Sequence, residues 1–378
     1  MKRVPVIDFI RFASIFVVIG DHFYPRWVAS FAHSVFLHQL ILTVFLNGAY
    51  GVICFFVVSG FLITRLLIEN TDDFSRIDLK SFYVKRAARI IPLWLVVILT
   101  GFFMNHAIGL LNEQVQKYDV WSEPTEFGWL FWVSLFSFNF NWYLIDKHVG
   151  MGVHWNVFWS LAVEEQFYLC YPLIAKFLGN RQRVLTFLWI IVISGVVFRV
   201  WALPTFETNG FFMHQASWGA FDQIAVGAIL YFADKKWGGW FSGQGKIACL
   251  LMFLGMSGCF YFFAETSFEN GVQFVVVPTL LAISCALTIL GGLYVPLFNS
   301  KATQFLSWPG KFSYGCYLWH PTLIVLLMPV LVSLGGLWGL IYLVLAVFFF
   351  AFLFYRYFEV PVNHQIRAWF NLKPSLSE

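Results

Sequence analysis

Arg11 and His22 stand eleven positions apart in one apolar run, VIDFIRFASIFVVIGDHF. At 3.6 residues per turn that is about three turns, so on a helix both side chains share a face, about 16 Å apart along the axis. An imidazole takes up and releases a proton near neutral pH, and a guanidinium is a permanent cation that grips carboxylates and phosphates. The pair therefore offers a base and an anion holder, too far apart to touch the same atoms. Asp8 precedes Arg11 by one turn and can pair with it. Asp21 adjoins His22 but points about 100° away, a poor angle for orienting the imidazole.

Three further runs carry reactive groups. WSLAVEEQFYLCYPL sets Glu164 and Tyr168 four apart on one helix face, with Glu165 directed elsewhere and Pro172 able to kink the segment. FYVKRAARIIP gathers Lys85, Arg86 and Arg89; the two arginines are one turn apart and face the same way, which suits the phosphates of a nucleotide cofactor. SYGCYLWHP holds His320 between Trp319 and Pro321 inside an apolar stretch. Each group also has a structural reading: the three cations as membrane-side anchors, His320 as a packing histidine, and Glu165 and Asp222 as internal hydrogen-bonding groups. His33, His38, His106, His148, His154 and His214 are scattered, without metal spacing, and read as loop residues; no metal is expected.

The composition says what must position these groups. Sixty per cent of the 378 residues are hydrophobic and 12% charged, against about 25% charged in a soluble domain. A water-soluble globule and a disordered chain are both excluded. The 21% aromatic content suits a protein solvated by lipid. The fold class expected is all-α, a polytopic transmembrane bundle of about ten spans, near 5–25, 45–66, 88–110, 156–175, 184–203, 216–233, 247–264, 271–292, 313–334 and 338–357. The Trp- and Phe-rich stretch 128–140 is too short for a span and reads as interfacial or re-entrant. Gly51, Ser59 and Gly60 in GVICFFVVSGFLIT permit close backbone approach. Most of the 24 Lys and Arg residues fall on one side of such a bundle, leaving Arg26, Lys117, Lys147 and Arg199 on the other and Arg11 within it; both termini are then cytosolic. Residues 1–360 form one membrane domain and 361–378 a short cytosolic tail. Asp8, Arg11, Asp21 and His22 interrupt the first run, so no cleavable signal is expected. The six cysteines lie in apolar stretches and read as packing residues. The net charge of +4 is a topology signal, and no nucleic-acid partner is expected. A charged group at bilayer depth costs about 2.5–3.5 kcal/mol or more, so those inside need partners or a wet cavity.

These motifs, in this order from DFIRFASIFVVIGDHF to YRYFEVP, resemble the acyltransferase-3 family of integral membrane acyltransferases. The resemblance implies about ten spans, an acyl-CoA donor (most commonly acetyl-CoA) on the cytosolic side, and an acceptor hydroxyl on a cell-surface or lipid-linked carbohydrate. It implies Arg11 and His22 as the signature pair and Arg86 and Arg89 as donor-binding residues, joined by Lys85. It departs in having Asp21 where a neutral residue usually precedes the histidine. The extracytoplasmic hydrolase-like domain of many relatives is not seen here, which favours direct transfer from the membrane domain. The roles expected are His22 as base for the acceptor hydroxyl or relay of its proton, Arg11 as donor-positioning group fixed by Asp8, and Glu164 as orienter of His22 or sugar ligand. Asp8, Trp159, Tyr168 and His320 are expected at the substrate; Trp155, Trp159 and Trp319 offer faces for sugar rings. A proton-coupled transporter of an acyl donor or small metabolite is the competing reading, since intramembrane Asp, Glu and His also build proton pathways. A non-catalytic binding scaffold is a third, and leaves the placement of Arg11 and His22 unexplained.

Overall fold

The computed structural model describes residues 4–23, 43–68, 73–110, 127–147, 153–213, 215–264 and 271–372. Ten long helices carry the fold: α1 (Pro5–Phe23), α2 (Gly48–Leu67), α3 (Leu79–Leu110), then, after three short helices, α7 (Phe158–Leu178), α8 (Arg181–Met213), α9 (Ser217–Ser242), α10 (Gly245–Ala264), α11 (Gly271–Tyr294) and, after a short α12 (Lys301–Ser307), α13 (Ser313–Leu334) and α14 (Gly336–Phe354). The short ones are α4 (Trp129–Phe136), α5 (Phe140–Lys147) and α6 (Val153–Asn156). A π-helical turn at Tyr355–Glu359 leads from α14 into α15 (Val360–Trp369). No strand occurs among the described residues.

Seven helical runs among the described residues are long and apolar enough to cross a bilayer. The long helices outside that set are α1, α7 and α9, which carry Asp8, Arg11 and Asp21, Glu164 and Glu165, and Asp222 and Asp234. These polar groups lower the hydropathy of the three helices, and Glu165 and Asp222 are buried within the protein. The apolar window of α2 is 72% buried, whereas that of α10 is 11% buried and presents Phe253 and Phe260 outward. Such a surface is stable only against hydrocarbon. The protein is a multi-pass integral membrane protein.

Close backbone approach holds the centre together. At the α2–α9 crossing a Cβ on Gly60 would strike the Ile224 carbonyl, and one on Gly227 would strike the Val57 carbonyl. Lipid tails are as apolar as leucine, so helix association in a membrane relies on such packing. Gly60→Val must push two backbones apart and is expected to cost at least about 1–3 kcal/mol. The check is the monodisperse fraction in detergent and its melting temperature, with Gly239→Ala on α9, where an added Cβ meets no neighbouring atom, close to wild type.

The stretch 128–140 is not a span. Helix α4 has eight residues, about 12 Å at 1.5 Å per residue, against a hydrocarbon core of about 30 Å. The chain turns at Phe138, which takes a left-handed conformation (φ 54°), and α5 follows.

Arg199 corrects the expected outer-side tally. It is 1% exposed, inside α8, and pairs with Asp222 of α9 through Nη1 and Nη2 at 3.1 and 2.9 Å. Its guanidinium also donates to Thr279 Oγ1, to the Val275 carbonyl and to the Gly219 carbonyl. Asp222 is the structural group foreseen for it. Asp222→Ala leaves this cation buried without its carboxylate, and a loss of about 3–5 kcal/mol is expected from unfolding measurements. Arg26, Lys117, His33, His38, His148 and His214 lie outside the described residues. His154 is not a loop residue: it sits on α6 and is 4% exposed.

Candidate functional site

Helices α1, α2, α3, α7, α13 and α15 line a cavity of about 180 Å³. Its wall gathers Arg11, Lys85, Arg86, Arg89 and Arg367 against one carboxylate, Glu164. Four of these five cations are the ones singled out by motif. Apolar side chains including Phe55, Leu62 and Leu66 complete it.

Local structure fixes the charged groups. One helical turn on α3 brings Arg86 and Arg89 to the same cavity, as their spacing predicts. The Arg86 guanidinium lies 4.1 Å from the centroid of the Tyr168 ring, a cation–π contact that orients it. The Tyr168 hydroxyl meets Ser59 Oγ, and Ser59 donates to Glu164 Oε1 at 2.7 Å. Arg11 lies in the electrostatic field of Arg89, Asp8, Glu164 and Tyr168. Asp8 therefore sits where the one-turn spacing put it. Five cations face Glu164 in the wall, with Asp8 acting on Arg11 and Glu165 on Arg86, so an excess of positive charge remains in a partly apolar setting that a polyanion would offset.

His22 closes the other end of α1. Its Nδ1 lies 2.9 Å from the Val18 carbonyl oxygen. A carbonyl only accepts, so Nδ1 is the donor in this contact, and Nε2 is the ring nitrogen it leaves unengaged. His320 repeats this geometry: Nδ1 is 3.2 Å from the Cys316 carbonyl, and Nε2 is buried with no hydrogen-bond partner among the described residues. The two rings meet edge to face, centroids 4.9 Å apart. The Tyr317 ring is 5.7 Å from His320. Tyr317 also lines the cavity, and its hydroxyl contacts Ser160 Oγ at 2.6 Å. Cavity, Tyr317, His320 and His22 thus form a contiguous series.

The expected site residues fall into two groups. Arg11, Lys85, Arg86, Arg89, Glu164 and Tyr168 belong to the cavity cluster, with Asp8 beside Arg11. His22 and His320 form the pair. Glu164 is not brought to His22: its partners among the described residues are Ser59, Tyr168, Arg86 and Arg11. Trp159 is 9% exposed and packs edge-on against Phe56. Trp155 is enclosed by Phe127, Phe131 and Phe158, and Trp319 by Phe350 and Phe354, so these two rings present no free face to a sugar. Asp21 accepts from the Gly48 backbone N–H at the start of α2, a helix N-terminus with donors to satisfy. Sequence reasoning missed Tyr317 and Arg367. The only available signals were a tyrosine three residues before His320 and a cation in an amphipathic C-terminal segment. No cluster of three His, Cys, Asp or Glu residues placed to hold a metal occurs among the described residues.

Comparison with known proteins agrees with this architecture. A family model described as an acyltransferase domain matches residues 4–356. The peptidoglycan O-acetyltransferase OatA of Listeria monocytogenes is 27% identical, over 96% of this chain and 56% of that protein. The O-acetyltransferase OatA of Staphylococcus aureus is 26% identical, over 96% of this chain and 57% of its own length. The chain therefore spans a little over half the length of these relatives. No solved structure matches it.

Proposed function

Since the chain belongs to the acyltransferase-3 family, we propose that it is a membrane O-acyltransferase that moves an acyl group, acetyl in the first instance, from cytosolic acyl-CoA to a hydroxyl of a cell-surface or lipid-linked carbohydrate. The observation that carries the donor half is the cavity itself. Its surplus of cations fits a phosphate-rich ligand, and its apolar wall fits a thioester arm. The relatives named for O-acetylation support acetyl as the group moved, and the one named for peptidoglycan makes a cell-wall glycan the first acceptor to try.

In this reading α1, α7 and α9 also span, giving ten spans with both termini cytosolic. The basic cavity then opens toward the cytosol and His22 lies toward the outer leaflet. The reaction forms a C–O ester bond and breaks the C–S thioester bond. His22 Nε2 takes the acceptor hydroxyl's proton, and the departing CoA thiolate is reprotonated. His320, with its own free Nε2 lone pair, is a second station for that proton on the way to the cavity. Arg11 and Asp8 position the donor, Lys85, Arg86 and Arg89 hold its phosphates, and Glu164 with Ser59 and Tyr168 sets the guanidinium of Arg86. Trp159 and the outer ends of the helices remain the proposed acceptor side.

The test is purified protein with labelled acetyl-CoA and a soluble cell-wall glycan. Alkali-labile label on the glycan is the expected result. Label that crosses a vesicle membrane while no ester forms would establish a carrier instead.

A further inference from the structure

The stretch expected to be a short tail opens with α15, which packs against α3. Two of its residues one turn apart, Asn363 and Arg367, are buried, and Arg367 is 6% exposed in the wall of the same cavity as Arg86 and Arg89. The family match ends at residue 356. This cation is therefore supplied from outside the matched domain. The turn that connects α14 to α15 is π-helical. An extra residue per turn rotates the following face, so the polar side of α15 meets α3 instead of continuing the lipid-facing side of α14.

Arg367 adds a fifth cation to a wall that already holds Arg11, Lys85, Arg86 and Arg89, within reach of the ligand that those groups would hold. We infer that Arg367 is a specificity-determining residue that binds a phosphate of the nucleotide part of the donor, so that the C-terminal helix completes the donor pocket. This rests on the reading of the cavity as the acyl-CoA site.

Reconstituted protein should be assayed with acetyl-CoA and with S-acetylpantetheine, which has the same thioester but no phosphate. For Arg367→Gln, KM for acetyl-CoA is expected to rise about tenfold with kcat within twofold, and kcat/KM for S-acetylpantetheine to stay at the wild-type value. Arg367→Lys should recover part of the lost affinity. An equal loss with both donors would mean that Arg367 merely holds α15 in place, and would overturn the inference. An unchanged KM for acetyl-CoA in Arg367→Gln, alongside a raised KM in Arg86→Ala, would overturn it while leaving the cavity reading intact. Unchanged KM in both variants would remove the cavity reading itself. If Arg367→Gln fails to fold, protection of Arg367→Lys against thermal unfolding by free CoA decides: weaker protection than wild type supports the inference, and equal protection overturns it.

Discussion

Replacing His22 by alanine is expected to lower kcat about 10²–10⁴-fold, the range for loss of a positioned general base. Its Nδ1 is committed to the Val18 carbonyl, which leaves Nε2 as the nitrogen that can face the acceptor hydroxyl. Donor affinity should be retained, because Arg11, the cavity cation on α1, lies about 16 Å from His22 by the helical rise and His22 is not among the residues lining the cavity. The variant should also insert and fold normally, since His22 is only half-buried and its recorded hydrogen bond is to its own helix. Single-turnover transfer from bound labelled acetyl-CoA reads kcat, and equilibrium binding of CoA reads the donor site. A His22→Ala protein that transfers at the wild-type rate would remove the base assignment. His320→Ala should fall less far, because a second proton station can be replaced by water more easily than the first acceptor.

The second large effect is in the basic cavity, at the arginine pair of α3. Arg86→Ala and Arg89→Ala should each raise the KM for acetyl-CoA about 10- to 100-fold, since one charge-assisted hydrogen bond contributes about 1.5–3 kcal/mol. With saturating donor, kcat should change little. Arg86 rests on the Tyr168 ring, so Tyr168→Leu should reproduce part of the Arg86→Ala effect without removing a charge. The donor dependence should also weaken as salt rises, as expected for phosphate held by several cations. Donor titrations that are superimposable for wild type and both alanine variants would contradict the assignment of this cavity.

What could be read in advance follows from which interactions are local. The Arg11–His22 spacing, the Asp8–Arg11 turn and the Arg86–Arg89 turn are all contained within single helices, and the structure keeps each. That Arg11 and Arg89 share a cavity depends on how α1 meets α3, which no spacing along either helix encodes. Glu164, expected to orient His22 or to bind the sugar, accepts from Ser59 and lies near Arg86, contacts between helices that no spacing along α7 encodes. Arg199 looked like an outer cation because it sits near the end of an apolar run. Its partner Asp222 lies on the following helix, and the pairing emerges only when α8 and α9 pack together. Hydropathy identifies seven crossing runs among the described residues and passes over α1, α7 and α9. In α1 and α7 the charges that depress the hydropathy include those that build the site, whereas in α9 Asp222 holds Arg199. Residues 361–378 read as a tail because the run is short, yet α15 forms there and its Arg367 lines the cavity.

The central claim is that the basic cavity and the histidine pair are two ends of one route, from a CoA thioester on one face to a carbohydrate hydroxyl on the other. Sealed vesicles bearing the protein in a single orientation test it directly. Labelled acetyl-CoA is enclosed on the side of Lys85 and Arg86, and an impermeant glycan is supplied on the side of His22. The account predicts labelled ester on the outside glycan while CoA stays inside. Label released outside without ester, or ester formed only after the vesicles are opened, would contradict it.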